Sequence, residues 1–170
     1  MGDDISLLEP APPAPPAGVT VLSSAICLQM TARAMTAGDH GAIRIEPLAA
    51  ADAEAMLDLA TLTRPGPFRL HTHSLGRFLG VWENGVLIAM AGERMRLDGF
   101  TEISAVCTHP DHRGKGLGAA LMRAVGARIL SEGATPFLHS YADNASAVAL
   151  YRSLGFETRR EVTHAVWRRD

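Results

Sequence analysis

Cysteine is scarce in this 170-residue sequence: the two cysteines, Cys27 and Cys107, stand far apart with no Cys or His at ligand spacing. This pattern supports neither a disulfide framework nor a structural zinc site. No apolar run approaches the ~20 residues that cross a bilayer. The N-terminal segment is acidic and then proline-rich, whereas a signal peptide begins with basic residues. These absences predict a cytoplasmic protein that does not bind a membrane.

The chain also lacks an excess of charge of one sign. It has 16 Lys and Arg against 18 Asp and Glu, a net charge of −2. The broad positive field that nucleic-acid-binding proteins use is therefore absent, and we expect no nucleic-acid partner. With 47% hydrophobic and 20% charged residues, the composition is that of an ordinary globular protein. A chain of this length buries enough surface for one domain with its own core.

Proline is concentrated near the N-terminus. Five of the ten prolines fall between Pro10 and Pro16. They remove backbone donors and favour an extended chain. We therefore predict a disordered proline-rich tail over residues 1–18 and a single domain over residues 19–170.

The central third of the chain predicts an antiparallel meander. Apolar stretches lie on both sides of Asn84-Gly85 and Asp98-Gly99, which are typical residues of tight turns. The predicted strands are Phe78–Trp82, residues 86–95 and Phe100–Cys107. A strand over Val21–Met30 and an amphipathic helix near residues 52–60 are predicted before them.

After residue 108 the apolar pattern changes to a helical period. Leucine, valine and isoleucine recur every four residues, which predicts a helix over residues 117–131 with Gly133 after its last turn. A strand over Thr135–Tyr141, a second helix capped by Asp143 or Asn144, and a final strand or strand pair from Phe156 follow. The fold class predicted is mixed α/β with an antiparallel start.

The segment Arg113-Gly-Lys-Gly-Leu-Gly118 lies between a predicted strand and a predicted helix. Alternating glycines let the backbone turn sharply and direct several N–H groups to one point at a helix N-terminus, where an anion such as a pyrophosphate is favoured. A flexible glycine-rich turn explains three glycines alone equally well. The spacing matches neither the P-loop nor the dinucleotide-binding pattern.

Two ordered motifs give the chain a resemblance to a known family. They are Ile103-Ser-Ala-Val-Cys-Thr-His-Pro-Asp-His-Arg-Gly-Lys-Gly-Leu-Gly118 and Tyr141-Ala-Asp-Asn-Ala-Ser-Ala-Val-Ala-Leu-Tyr-Arg-Ser-Leu-Gly-Phe156. Together they resemble the GNAT superfamily of acyl-CoA-dependent N-acyltransferases, most closely its glycine N-acyltransferase-like branch. The resemblance covers residues 78–161, and residues 19–75 match poorly.

The resemblance implies a fold and a binding site. The fold would be a mixed, largely antiparallel sheet flanked by helices, with two central strands that splay apart to bind acetyl-CoA. Backbone groups of the strand before the glycine loop, loop amides and one asparagine side chain would hold the cofactor. By residue, the implied cofactor site is Val106, Cys107, Thr108, Arg113, Gly114, Lys115, Gly116, Leu117, Gly118 and Asn144.

Acetyl transfer to an amine needs a base, because an amine with a pKa near 10.4 must lose a proton as it attacks. Glu102 is the candidate, since its four-residue spacing from Val106 predicts that both lie on one face of the strand; an exposed strand glutamate is the alternative. The backbone N–H of Val106 would stabilise the oxyanion by resemblance. Tyr151 is the candidate acid for the departing thiolate, against the alternative of a core tyrosine.

The remaining reactive side chains give weaker signals. The pairs His71 with His73 and His109 with His112 lack further ligands at metal spacing apart from Asp111, so no metal is expected. Cys107 as a nucleophile would imply an acyl-enzyme. Direct transfer within a ternary complex is simpler, because positioning supplies much of the rate.

The function predicted is transfer of an acetyl or short acyl group from acetyl-CoA to an amine. A CoA-binding module that regulates a partner without turnover is the alternative. The acceptor, a small molecule or a peptide amine, is left open. A homodimer through an exposed C-terminal strand is also left open.

Overall fold

The structure is a computed structural model that describes residues 4–38, 41 and 43–170. Within those residues, eight strands form one sheet in the order β1-β8-β2-β7-β6-β5-β4-β3. The strands are β1 Asp4–Glu9, β2 Val19–Thr31, β3 Glu46–Leu48, β4 Phe78–Glu83, β5 Val86–Leu97, β6 Phe100–Thr108, β7 Thr135–Tyr141 and β8 Glu157–Arg169. The α-helices are α1 Ala53–Thr63, α2 Leu117–Ser131 and α3 Ala145–Ser153.

The predicted meander and the elements after it are confirmed. Strands β4, β5 and β6 pair antiparallel in sequence order. Helix α2 and strand β7 have the predicted bounds. Asn144 caps α3, because its side-chain oxygen accepts a hydrogen bond from the Ala147 N–H. The mixed, largely antiparallel sheet flanked by helices is thus the observed architecture.

Helices cover both faces of the sheet. On one face α2 and α3 pack into a core cluster that includes Leu121, Val125 and Leu154. On the other face α1 contributes Met56 and Leu59 to a second cluster. We refer to these as the α2 face and the α1 face. Both faces of the central strands are buried, which explains why residues 86–92 of β5 form a continuous apolar run.

The prediction of a disordered tail is wrong for residues 4–9. These residues form β1, which pairs antiparallel with β8 from Asp4 opposite Arg168 to Glu9 opposite Thr163. An exposed ion pair between Asp4 and Arg168 lies at one end of this pairing. The prolines themselves occupy the connection from β1 to β2, outside regular structure. Residues 1–3 of the predicted tail lie outside the described residues.

Two neighbouring strands separate in the middle of the sheet. Strands β6 and β7 run parallel and pair over three residues, from Phe100 opposite Thr135 to Glu102 opposite Phe137. Beyond that point β7 keeps its pairing with β2, and β6 keeps its pairing with β5. The splayed central strands that the resemblance implied are therefore present.

Candidate active site

A cleft of about 250 Å³ lies where β6 and β7 separate. Consecutive residues of β6 and β7 form its walls, and residues of α3, β1, β8 and the segment after α1 close its sides. The residues of β6 and β7 that line it are Glu102, Ile103, Ser104, Ala105, Val106, Leu138, His139, Ser140 and Tyr141.

A bulge in β6 shapes this cleft. Two steps along β5, from Met90 to Gly92, oppose three steps along β6, from Cys107 back to Ser104. The extra residue allows Ala105 to adopt a left-handed conformation with φ 52°. This conformation is uncommon for a residue other than glycine, and it reverses the alternation of side chains along the strand.

The bulge corrects one prediction about Glu102. Ile103 and Val106 both pack against the α2 face although they are three residues apart. Glu102, next to Ile103, therefore points to the opposite face from Val106, and the expectation that the two share a face is wrong. Both still line the cleft, because the cleft passes through the gap between the strands.

Glu102 is a buried carboxylate with three hydrogen bonds. Arg94 donates to both oxygens, at 2.7 Å from Nε and 2.8 Å from Nη2. The Nδ1 atom of His139 lies 2.9 Å from Oε1. Burial alone would raise the pKa of Glu102, but the hydrogen bonds from His139 and Arg94, with the charge of Arg94, hold it below its usual value. Glu102 is thus ionised at neutral pH, and three of its roughly four acceptor positions are occupied.

Tyr151 and Asn144 both line the cleft from the side of α3. Burial raises the pKa of Tyr151, so its hydroxyl stays protonated well above neutral pH. Its ring packs edge-on against Phe156 at 6.3 Å between ring centres. Asn144 uses its side-chain oxygen to cap α3. The structure therefore brings Glu102, Val106, Asn144 and Tyr151 to one cleft.

The glycine loop lies outside this cleft, at the start of α2. Residues 113–116 are exposed, Leu117 is buried and begins the helix, and Gly118 is half-buried. Gly114 and Gly116 have positive φ values of 76° and 77°, which favour glycine. No side chain caps α2, so its first backbone N–H groups are not satisfied within the helix.

Cys107 and Thr108 point to different faces. The thiol of Cys107 lies in the apolar cluster of the α1 face, where burial raises its pKa to about 11. A thiol of that pKa is a poor nucleophile at neutral pH, which argues against an acyl-enzyme. Thr108 lies on the α2 face, since a Cβ built on Gly118 would be 3.8 Å from its hydroxyl oxygen.

Sequence reasoning missed several residues that line the cleft. Arg94 and His164 come from β5 and β8, and Ser6 and Leu8 come from β1. Nothing in their local sequence distinguishes them from other strand residues. The strand order and register bring them to the cleft, because β1 and β8 lie on the β7 side of the gap and β5 pairs with β6 on the other side.

Two further findings concern the part of the chain that the structure describes. It contains no group of three or more His, Cys, Asp or Glu side chains placed to hold a metal ion. None of its helices is both long enough and apolar enough to cross a membrane.

Comparisons with known proteins agree with this geometry. A family model described as "FR47-like protein" matches residues 78–167. A GNAT-family protein of Novosphingobium aromaticivorans, known from its crystal structure, is 44% identical with a TM-score of 0.89, and the match covers 99% of this chain and 75% of that one.

Two curated relatives match about half of the chain or less. Mycothiol acetyltransferase of Nocardiopsis dassonvillei is 36% identical over 91 residues, which are 48% of this chain and 27% of that protein. The ribosomal protein bS18-alanine N-acetyltransferase of Escherichia coli K12 is 39% identical over 75 residues, 44% of this chain and 50% of that protein. The chain thus spans half or less of the length of these relatives.

The family model covers more than half of the chain, and the crystal structure matches nearly all of it. The splayed strands, the bulge and the glycine loop lie inside the matched region. The chain belongs to the GNAT superfamily, as an FR47-like member.

Proposed function

We propose that this protein is an N-acetyltransferase that moves an acetyl group from acetyl-CoA to an amine within a ternary complex. The observation that carries the proposal is the cleft between β6 and β7, together with the exposed glycine loop that follows β6 in the chain and leads into α2. The names of the two curated relatives, both acetyltransferases, support the same chemistry.

The glycine loop has the properties that a pyrophosphate needs. A Cβ added at Gly114 or Gly116 would meet no atom within 4 Å, so the surface over the loop is open to a ligand. The uncapped N–H groups from Leu117 onward carry the positive end of the helix dipole, which favours an anion. Arg113 and Lys115 add positive charge beside them.

The open edge of β6 fits the amide-bearing arm of the cofactor. Beyond Glu102, β6 has no partner strand on the β7 side, which leaves backbone groups of Val106 and Thr108 for a ligand. Because the side chain of Cys107 points into the core, we assign only its backbone to the binding site. The Asn144 side-chain oxygen is used in capping, so its amide N–H₂ is the group for the cofactor.

The reaction needs three groups from the protein: a donor to the oxyanion, an acid and a base. The Val106 N–H is the proposed donor to the oxyanion of the tetrahedral intermediate. Tyr151, kept protonated by burial, is the proposed acid that gives the departing thiolate its proton. Glu102 as the base that deprotonates the amine stays a prediction. Because Glu102 already accepts three hydrogen bonds, other proton acceptors in the cleft are candidates as well.

The acceptor, the branch of the superfamily, the cellular location and the oligomeric state stay predictions. The relatives named above act on mycothiol and on a ribosomal protein by their names, which supports an amine of either a small molecule or a peptide as the acceptor. Assignment to the glycine N-acyltransferase-like branch and a cytoplasmic location are likewise predictions. A homodimer is supported by β8, because β1 pairs with residues 163–168 and, within the described part of the chain, residues 157–161 beyond that pairing are exposed.

A thiol-release assay tests the proposal. Acetyl-CoA is offered with a panel of small amines, amino acids and peptides with free N-termini, and acetylated product is identified by mass spectrometry. We expect release of CoA that depends on the acceptor. Tight binding of acetyl-CoA without turnover on any acceptor would instead favour the regulatory CoA-binding module.

A further inference from the structure

The cleft is lined by two histidines, and they differ in how their ring nitrogens are used. His139 lies on β7 and His164 on β8, and both line the cleft. An attacking amine must pass a proton to some group there. The hydrogen bonds of the two rings determine which of them can accept it.

Both ring nitrogens of His139 are already engaged. Its Nδ1 lies 2.9 Å from Glu102, and its Nε2 lies 3.1 Å from the side-chain nitrogen of Gln29. The Gln29 amide cannot simply turn over, because its oxygen accepts a 2.6 Å hydrogen bond from Arg159. Nε2 of His139 is therefore an acceptor occupied by Gln29, and Nδ1 is a donor to the carboxylate. A proton from a substrate has no free site on this ring.

His164 has a different environment. Its Nδ1 lies 3.0 Å from the hydroxyl of Tyr141, which also lines the cleft. Its Nε2 has no hydrogen-bond partner among the residues that the structure describes. His164 is half-buried, and its ring lies 5.8 Å from that of Tyr141. One nitrogen is thus held in place, while the other is left for a ligand.

We propose that His164, held by Tyr141, is the catalytic base of the acetyl transfer. The assignment rests on the proposed function and names the group that receives the proton. As the amine nitrogen forms its bond to the thioester carbonyl carbon, its proton passes to Nε2 of His164 while Nδ1–H donates to the Tyr141 oxygen. The C–S bond then breaks, and the thiolate takes the proton of Tyr151. The proton held by His164 leaves to solvent and Tyr151 regains one from solvent, so both residues end as they began.

The charges around His164 keep it neutral and ready to accept a proton. Burial lowers the pKa of His164, and the positive charge of Arg94 lowers it further. From β2 the facing group is the Cys27 thiol, from β7 Tyr141, and from β6 the carboxylate of Glu102, whose charge is shared with Arg94. The facing residues of β1, Ser6 and Leu8, carry no charge.

The experiment compares three histidine variants with one good acceptor. His164→Asn keeps a polar group near Tyr141 and removes the free nitrogen, and His164→Gln is a second variant of different reach. His73→Asn is the matched control, because His73 is half-buried like His164, lies 2.7 Å from the backbone oxygen of Leu70 through Nδ1 and does not line the cleft. Calorimetry with acetyl-CoA establishes that each variant is folded and binds the cofactor.

We expect both His164 variants to lose on the order of 100-fold in kcat with little change in acetyl-CoA affinity. The wild-type kcat should fall on acidification with a midpoint below 6.5, the usual pKa of histidine, and this limb should disappear in His164→Asn. Tyr141→Phe should lower kcat less, because the His164 ring loses its hydrogen bond to the tyrosine hydroxyl and keeps Nε2. His73→Asn should match the wild type.

Several results overturn the assignment. One is a His164 variant that keeps more than a third of kcat and the acid limb. Another is a wild-type profile that stays flat down to pH 4.5, the usual pKa of a glutamate, since it points to a carboxylate with a lowered pKa such as Glu102. The latter test needs no variant to fold. If the wild type binds acetyl-CoA and acetylates no acceptor, the proposed function fails, and the base assignment fails with it.

Discussion

Arg94 and Glu102 form a two-pronged ion pair across β5 and β6, with nitrogen-to-oxygen distances of 2.7 and 2.8 Å. Only 1% of the Glu102 side chain and 25% of the Arg94 side chain are exposed. The register of β5 against β6 shifts between Glu93 and Arg96, which places Arg94 at the irregularity. Two strand irregularities, one on each strand, thus bring an arginine and a carboxylate together at the base of the cleft.

This pair predicts a stability defect in Glu102→Gln. The amide leaves Arg94 without a counter-charge, and breaking a buried pair in this way costs about 3 kcal/mol. Chemical denaturation measures the loss in the free energy of unfolding. Glu46→Gln is the control, because the pair of Arg44 and Glu46 is exposed and should contribute less than about 1 kcal/mol. Equal losses in the two variants would contradict the prediction.

The same pair predicts how stability depends on pH. The pKa of Glu102 is lowered in the folded state, so its contribution is present above the unfolded value of 4.5 and is lost as pH falls through the folded value. The melting temperature should therefore fall more steeply between pH 7 and pH 3 for the wild type than for Glu102→Gln. Glu93, also buried with a lowered pKa, leaves a residual acid dependence in the variant. Parallel curves of melting temperature against pH for the two proteins would mean that the pKa of Glu102 is the same in the folded and unfolded states.

The glycine loop predicts that acetyl-CoA affinity depends more on the loop backbone than on the charge of Lys115. Gly116→Val forces a β-branched residue into a positive φ, at a cost of about 1–2 kcal/mol, and covers the open loop surface. Calorimetry should find a large loss of affinity for Gly116→Val and a modest one for Lys115→Ala.

The matched control for this strain is at the other end of α2. Gly133 has a φ of 79° and free space around it, as Gly116 has. Gly133→Val should lose similar stability and bind acetyl-CoA like the wild type. Small and equal losses of affinity in Gly116→Val and Lys115→Ala would contradict the proposed role of the backbone.

The bulge predicts an unusual response at Ala105. Ala105→Val places a β-branched side chain at a φ of 52°, which costs about 2 kcal/mol of stability and disturbs the cleft wall. Ala105→Gly is the control, since glycine adopts this conformation without strain and should keep both stability and acetyl-CoA affinity. Denaturation and calorimetry on both variants check this; a stable Val variant with wild-type affinity would mean that the bulge is not needed.

Tyr151 predicts a change in the alkaline range. Tyr151→Phe keeps the ring against Phe156 and removes the hydroxyl, so folding should survive while kcat falls on the order of 100-fold. Because burial raises the pKa of Tyr151, the wild-type rate should hold until high pH and then decline, and the variant should lack that decline. A variant with less than a threefold loss and the wild-type profile would leave the thiolate to take its proton from water.

Much of the fold could be predicted from the local sequence. The turns Asn84-Gly85 and Asp98-Gly99 fix neighbouring strands, and the four-residue period of α2 fixes its apolar face. Those signals act between residues close in the chain, so they survive without knowledge of distant partners. The glycine loop is of the same kind, since its positive φ values depend on its own glycines.

The tertiary structure decided what lies around the reacting groups. The sequence by itself determined the meander, α2, β7 and the cap at Asn144, because each depends on contacts between near neighbours. It did not determine the tertiary role of β1, whose pairing with β8 joins residues about 160 apart, or the bulge at Ala105, which reverses the faces of Glu102 and Val106. The partners of Glu102 and the position of His164 come from strands distant in sequence, and only the strand order and register bring them into one cleft.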